Sequence, residues 1–348
     1  MLRKLRSSFR PFTLAAVGAA TLVLGPAAPA QDDAGFARYL EELRGQATAA
    51  GVSRATADAV FPTLTLNPRV IELDRAQPGG GSTAAIPAFA PYRARHVDAA
   101  RISRGRVAYQ ANRARLAGIE RDTGVPESIM VAIWGHETNY GGYTGDFDLP
   151  RALATLAYEG RRRELFAGEF IATLKLIDRG IPRERLKGSW AGATGYPQFL
   201  PSIYLRVARD GDGDGTADIW RSEADALASI GNYLVDAGWR KGQPWGVAVN
   251  VPATLDRGAL GNATVSPRCP RVHERHSRWR TMAEWRALGI VPQNGAWPAD
   301  DVLATLLEPD GPGQTAYLLT GNYRVILDYN CSNFYALSVG LLADEVAR

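Results

Sequence analysis

Residues 126–140 read Pro126-Glu-Ser-Ile-Met-Val-Ala-Ile-Trp-Gly-His-Glu137-Thr-Asn-Tyr140, followed by Gly141 and Gly142. The stretch predicts one helix. Pro126 suits a first helical turn, where a missing N–H costs nothing, and the two glycines stop the pattern. Met130, Ile133 and Trp134 recur at helical spacing and form an apolar stripe. Glu137 follows them at i+7, i+4 and i+3, so it is expected on that stripe at the helix end. A carboxyl group against an apolar wall is costly to ionise, which raises its pKa. A carboxylic acid still protonated near neutrality can protonate a glycosidic oxygen. The alternative is a helix-end glutamate held in an ion pair, because structural ion pairs also perturb pKa values.

Working outward, residues 34–60 are expected to be helical, with Phe36, Tyr39, Leu40 and Leu43 on one face. Helices are also expected over about 97–123, 150–158, 161–180 and 223–238. Between 61 and 94, several prolines and the run Pro78-Gly-Gly-Gly-Ser82 predict an extended arm. The character changes after residue 245. Residues 245–251 alternate like a strand, and 281–288 read as a short helix. The runs 316–320 and 323–329 are parted by Gly321-Asn322, a hairpin signal. A last helix is expected over 333–347. The fold class is mainly α (α+β), with a small antiparallel sheet near the C-terminus and no internal repeat.

The first thirty residues have the pattern of a secretory leader. Arg3, Lys4, Arg6 and Arg10 form a basic region, residues 12–24 are a short apolar region, and Ala28-Pro29-Ala30 suits cleavage after Ala30. The apolar run is short for a membrane span. No cysteine stands at the cleavage point, so no lipid anchor is expected there. An exported, periplasmic protein follows. The whole chain carries 40 Lys+Arg and 36 Asp+Glu, and the leader accounts for four of the basic residues and no acid. The remaining 318 residues are formally neutral, which argues against a nucleic-acid partner. In an oxidising compartment the two cysteines, Cys269 and Cys331, are expected to be bridged; two buried free thiols are the alternative.

Two further segments carry chemistry. Residues 188–202, Gly188-Ser-Trp-Ala-Gly-Ala-Thr-Gly-Tyr-Pro-Gln-Phe-Leu-Pro-Ser202, mix small residues with Trp190, Tyr196 and Phe199. Small residues admit a ligand close to the backbone, and Ser189 and Gln198 offer neutral hydrogen-bonding groups for acetamido and hydroxyl substituents. A glycine-rich packing loop is the alternative. Residues 328–335, Asp328-Tyr-Asn-Cys-Ser-Asn-Phe-Tyr335, form a polar and aromatic cluster in which Tyr329, Asn330 and Tyr335 could line a pocket. Asn330 and Ser332 are also ordinary helix-start residues.

In order and spacing, the segments around Glu137, 189–202 and 329–335 resemble the membrane-bound lytic murein transglycosylase B family. The resemblance runs from about residue 34 to the end of the chain. It implies a lysozyme-like helical catalytic domain, peptidoglycan glycan strands as the partner, and no required cofactor. It also implies non-hydrolytic cleavage between N-acetylmuramic acid and N-acetylglucosamine, leaving a 1,6-anhydro end. Glu137 would be the single acid/base. Ser189, Gln198, Tyr329, Asn330 and Tyr335 would contact substrate near the cleaved bond, Asn330 orienting the 2-acetamido group, and Tyr196 and Phe199 would pack in the groove. Thr194 stands where the family often has Met, and Pro197 where Gly or another residue is usual; both are expected to alter groove shape more than chemistry. The expected organisation is a leader over 1–30, an N-terminal helix and arm over 31–94, a catalytic core over 95–245 and a β-containing region over 246–348 that completes the groove. A monomer is expected.

Asp210-Gly-Asp-Gly-Asp-Gly-Thr-Ala-Asp218 matches the start of an EF-hand loop. Asp210, Asp212, Asp214 and Asp218 fall at ligand positions 1, 3, 5 and 9, with the Thr216 carbonyl at position 7. Arg221 stands where the bidentate acid belongs, so a structural Ca2+ and a plain Asp/Gly turn both remain open. His96, His136, His273 and His276 are read as structural or surface residues. A hydrolase acting on the same bond would need a second acid, for which Asp146, Asp148 and Asp328 are the candidates. A non-catalytic glycan-binding scaffold is the other alternative.

Overall fold

The computed structural model describes residues 33–77, 86–261, 269–294 and 297–348. The leader and the glycine run 78–82 lie outside the described residues. The chain opens with α1 (Asp33–Ala49), α2 (Arg54–Val60), α3 (Pro68–Arg75) and α4 (Phe89–His96). The helix expected over 34–60 is thus two. The break falls at Ser53, whose side chain accepts from Thr56 N as an N-cap, while its amide and hydroxyl donate to the Asp178 carboxylate at 2.9 and 2.6 Å. The segment expected to be an extended arm instead carries α3 and α4. Its prolines are not all breakers: Pro68 occupies the first turn of α3, a position that needs no N–H.

The central layer comprises α5 (Ala99–Ala111), α6 (Arg113–Thr123), α7 (Glu127–Thr138), α8 (Leu149–Glu159), α9 (Arg163–Asp178), α10 (Pro201–Val207) and α11 (Glu223–Asp236). β1 (Phe147–Asp148) and β2 (Lys187–Gly188) form a two-residue antiparallel pair beside it. The α7 helix is not striped. Ile129, Val131 and Ala132 are buried along with Met130, Ile133 and Trp134, because α7 packs against α5, α6 and α11 and against the last helix of the chain. A helix buried all round is a core element, and its C-terminal end can deliver a side chain to a groove.

The remainder holds β3 (Gly246–Asn250), α12 (Pro270–His273), β4 (Arg280–Thr281), α13 (Met282–Ala287), β5 (Val291–Pro292), β6 (Leu303–Leu307), β7 (Ala316–Leu319), α14 (Gly321–Tyr329) and α15 (Asn333–Val346). The strands form one antiparallel sheet in the order β4-β6-β7-β3-β5. Val249, Met282, Trp285, Ile290 and Leu318 belong to a second, smaller apolar cluster beneath it. Residues of α14 and α15 return to the main core. Cys269 and Cys331 are joined by a disulfide with a Cα–Cα distance of 5.3 Å.

The hairpin expected across Gly321-Asn322 is absent, since 321–329 is helical and β7 pairs with β3 and β6. Thr320 caps α14 by accepting from Asn322 N. The Asn322 side chain is fully buried. It accepts from Arg240 N at 2.8 Å and donates to the carbonyls of Arg240 and Gln243 at 2.9 and 2.6 Å. A turn residue would face water; this one serves three main-chain groups inside the protein. A short apolar run satisfies strand and helix periods alike, and here the cap and the buried amide select the helix. Asn322→Ala strands those groups and should lower the unfolding free energy by about 2–4 kcal/mol. Urea denaturation checks this, and a loss under about 0.5 kcal/mol would contradict it.

Candidate functional site

Glu137 stands in the last turn of α7, and its Oε1 accepts a 2.6 Å hydrogen bond from the Tyr335 hydroxyl on α15. Oε2 has no hydrogen-bond partner among the described residues. Protein surrounds the carboxyl closely, yet the residue keeps a partly exposed face. Burial lifts its pKa from 4.5 to about 7, against the smaller opposing effect of the Tyr335 hydrogen bond. Burial likewise holds the Tyr335 phenol well above its ordinary value, and the Glu137 charge adds to that rise. The phenol therefore remains a donor.

Three aromatic rings build the wall behind this pair. The Tyr329 and Tyr335 rings lie 6.5 Å apart and nearly parallel at 17°. The Tyr329 hydroxyl donates to the Pro197 carbonyl at 2.6 Å, tying the end of α14 to the loop after β2. Phe199 packs on Tyr329 and Tyr233 at 5.9 and 5.7 Å. Phe199 is only 3% exposed, so it supports Tyr329 from behind and does not face the groove as expected.

The loop between β2 and α10 is folded on itself. Ser189 Oγ accepts from Ala193 N at 3.0 Å, and bridges join Gly188 to Thr194 and Thr194 to Phe199. A Cβ at Gly188 would sit 2.0 Å from the Ala193 carbonyl oxygen, so only glycine fits. Gln198 adopts φ +50°, and its Nε2 donates to the carbonyls of Thr144 and Gly195, both at 3.0 Å. The Thr138 hydroxyl, next to Glu137, donates to the Tyr196 carbonyl at 3.1 Å. Tyr196 is half-buried, with its ring 5.9 Å from that of Trp134. Ser189, Tyr196 and Gln198 therefore sit on a loop bonded directly to the Glu137 helix end. Asn330 is exposed at the C-terminal cap of α14.

Sequence reading missed Tyr92 on α4. Its ring stacks on His96 at 3.8 Å and packs on Phe334 at 5.4 Å. Burial raises its pKa, Arg101 and Ser338 oppose the rise, and the Glu137 charge adds to it. Its phenol is thus within the field of Glu137, which no spacing signal indicated across 45 intervening positions. His96 and His136 lie apart in the sequence, but their rings approach to 6.3 Å. Burial depresses the His136 pKa to about 3. The imidazole is neutral and adds no charge that would draw the neighbouring Glu137 into ionising. His276 is also buried and neutral, between Thr305 and Asn333 at 2.9 and 2.8 Å.

In the aspartate loop, oxygens of Asp210, Asp212 and Asp214 lie within 4.8 Å of one another and are exposed. Asp218 does not join them; its Oδ2 accepts from Arg185 at 2.9 Å, a closer partner than the rest of the loop. The Thr216 amide and hydroxyl bind Asp214 Oδ1 at 2.8 and 2.7 Å. The loop is closed by Asp225, which sequence reading missed. Its carboxylate accepts from Gly211 N and Asp218 N at 2.8 and 2.7 Å. Three hard oxygen donors suit a calcium-type ion, though the set is one carboxylate short of the expected four.

The family model described as Transglycosylase SLT domain (SLT_2) matches residues 35–344. The chain belongs to that family. The Escherichia coli (strain K12) membrane-bound lytic murein transglycosylase B is 35% identical over 228 residues, which cover 64% of this chain and 58% of that protein. The aligned stretch thus spans less than two thirds of that relative. Among solved structures, Pseudomonas aeruginosa SltB3 in complex with NAG-anhNAM-pentapeptide matches with a TM-score of 0.79 and 38% identity, over 90% of this chain and 79% of that one. Soluble lytic transglycosylase SltB1 from the same organism matches at 0.75 and 29% identity, over 89% and 98%. The Escherichia coli lytic transglycosylase SLT35 in complex with calcium matches at 0.70 and 28% identity, over 91% and 93%. The SLT domain here has the lysozyme-like, mainly helical fold of these lytic transglycosylases. No helix among the described residues is long and apolar enough to cross a membrane.

The raised Glu137 pKa has a stability consequence. At pH values below about 4.5 the carboxyl is protonated whether the protein is folded or not; as pH rises through about 7, ionisation costs the folded state stability. Glu137→Gln removes that cost. Its Tm should exceed the parent's at pH 8 and match it at pH 4 in calorimetry; equal Tm at both would mean that the carboxyl is well solvated.

Proposed function

We propose that this chain is an exported lytic murein transglycosylase. Its substrate would be peptidoglycan, cut at the β-1,4 bond between N-acetylmuramic acid and N-acetylglucosamine to leave 1,6-anhydromuramic acid. One observation carries the reading. Glu137 is held near pKa 7 with a single phenolic partner, so one group can both give and take a proton near neutrality. The SltB3 relatives were solved with NAG-anhNAM-pentapeptide and NAG-NAM-pentapeptide, which supports the substrate class.

In the first step Glu137 protonates the glycosidic oxygen while the bond from muramoyl C1 to that oxygen breaks. The 2-acetamido carbonyl oxygen attacks C1, so no second carboxylate is required. Asn330, at the groove edge, is the proposed holder of that acetamido group. In the second step the Glu137 carboxylate takes the proton from the C6 hydroxyl, O6 attacks C1, and the acetamido oxygen leaves. Tyr335 steadies the carboxylate between the steps. Ser189, Tyr196, Gln198 and Tyr329 are the proposed glycan contacts. Asp148, a candidate second acid for a hydrolase, is bound by Arg183 at 2.9 and 3.0 Å and caps α8 through Arg151 N, which favours the single-carboxylate route. The leader pattern supports export to the periplasm.

Mass spectrometry of soluble products from purified peptidoglycan tests this. Anhydromuropeptides from the wild type and none from Glu137→Gln are expected. Reducing-end products would make the protein a hydrolase, and no products from folded protein would favour a binding scaffold. Because the acid must be protonated, kcat/KM should fall as pH rises past about 7.

Asp210, Asp212 and Asp214 are the proposed ligands of a structural calcium ion, in keeping with the calcium complex of SLT35. Calorimetric titration of Ca2+ should give saturable binding that Asp212→Asn abolishes. No heat at millimolar Ca2+ would identify a metal-free turn.

A further inference from the structure

Among the described residues, Tyr143 is the one aromatic side chain left open to water, 69% exposed. It stands at the tip of the turn between α7 and β1. The turn is bound from both sides. Thr138 accepts from Tyr143 N through its carbonyl and from Gly141 N through its hydroxyl, each at 3.1 Å. Gln198 holds the Thr144 carbonyl at 3.0 Å. Gly145 lies against Gly188, where a Cβ would fall 2.2 Å from the Gly188 carbonyl. Asn139, Tyr140 and Gly141 take φ values of +53°, +61° and +81° in succession, and the Tyr140 hydroxyl anchors that reversal on the Arg101 carbonyl at 3.0 Å.

Two non-glycine residues in left-handed conformation persist only where their surroundings over-determine them. What this restraint holds in place is the Tyr143 ring, which makes no aromatic contact of its own and contributes little to the core. Its amide is one hydrogen bond from Thr138, the residue after Glu137, and its turn is bonded to the loop that carries Gln198. A phenol there presents an apolar face and a polar edge, a match to the C–H face and hydroxyl rim of a pyranose.

We infer that Tyr143 is a glycan-binding residue, stacking on a saccharide unit beside the cleaved bond. The inference rests on the glycan-cleaving reading of this site. It is tested by affinity for peptide-free glycan strands in the Glu137→Gln background, which needs no turnover. Adding Tyr143→Ala should weaken binding about three- to tenfold, and adding Tyr143→Phe should not weaken it, because the ring carries the contact. Equal affinity for Tyr143→Ala and the parent overturns the inference. So does a loss confined to strands that bear stem peptides. Exposure of the side chain keeps both variants folded, which an unchanged Tm verifies. Wild-type product analysis, run separately, reports on the cleavage reading itself.

Discussion

The hydrogen bond from Tyr335 to Glu137 joins helices whose residues are 198 positions apart. It depends on α7 and α15 lying in contact, and that contact depends on the apolar filling around both. The same filling removes water from the carboxyl and raises its pKa. Packing and proton chemistry are one constraint here: a looser α7–α15 interface would hydrate Glu137 and return it to an ordinary carboxylate. His136 belongs to the same balance, since a charged imidazole beside Glu137 would favour ionisation, and burial keeps it neutral.

From that pair the groove is assembled by short tethers. Thr138 reaches the Tyr196 carbonyl, Gln198 reaches back to Thr144, and Tyr329 reaches Pro197. Each tether runs from the groove loop to a helix end. A loop of small residues has little core of its own; main-chain and amide hydrogen bonds hold its shape. This arrangement leaves the hydroxyl and amide groups of Ser189 and Gln198 on a rigid support, the condition for positioning a sugar ring.

The sheet and its smaller core stand apart from this chemistry but position it. The last strand, β7, hands the chain to α14 through the buried Thr320 cap and the Asn322 amide. α14 then delivers Tyr329, and the disulfide from Cys269 to Cys331 pins the short link to α15, two positions before Asn333 begins the helix. A slip of one residue in that link would rotate Tyr335 away from Glu137 by about 100° of helix.

Local patterning was enough for much of this. Capping residues and helical periodicity are short-range properties, so α7, α8, α9, α11 and α15 could be read within a few residues of their observed bounds. Glu137 stood out because an acid among buried spacings is itself a local signal. Where periodicity is ambiguous, as at 323–329, the outcome rested on a partner 80 residues away, the main chain at Arg240 and Gln243. The burial of Phe199, the approach of Tyr92 and the diversion of Asp218 to Arg185 were likewise not written in any local pattern. Side-chain type and spacing are properties of neighbours in the chain; exposure, pairing and pKa are properties of neighbours in space, and folding alone supplies those.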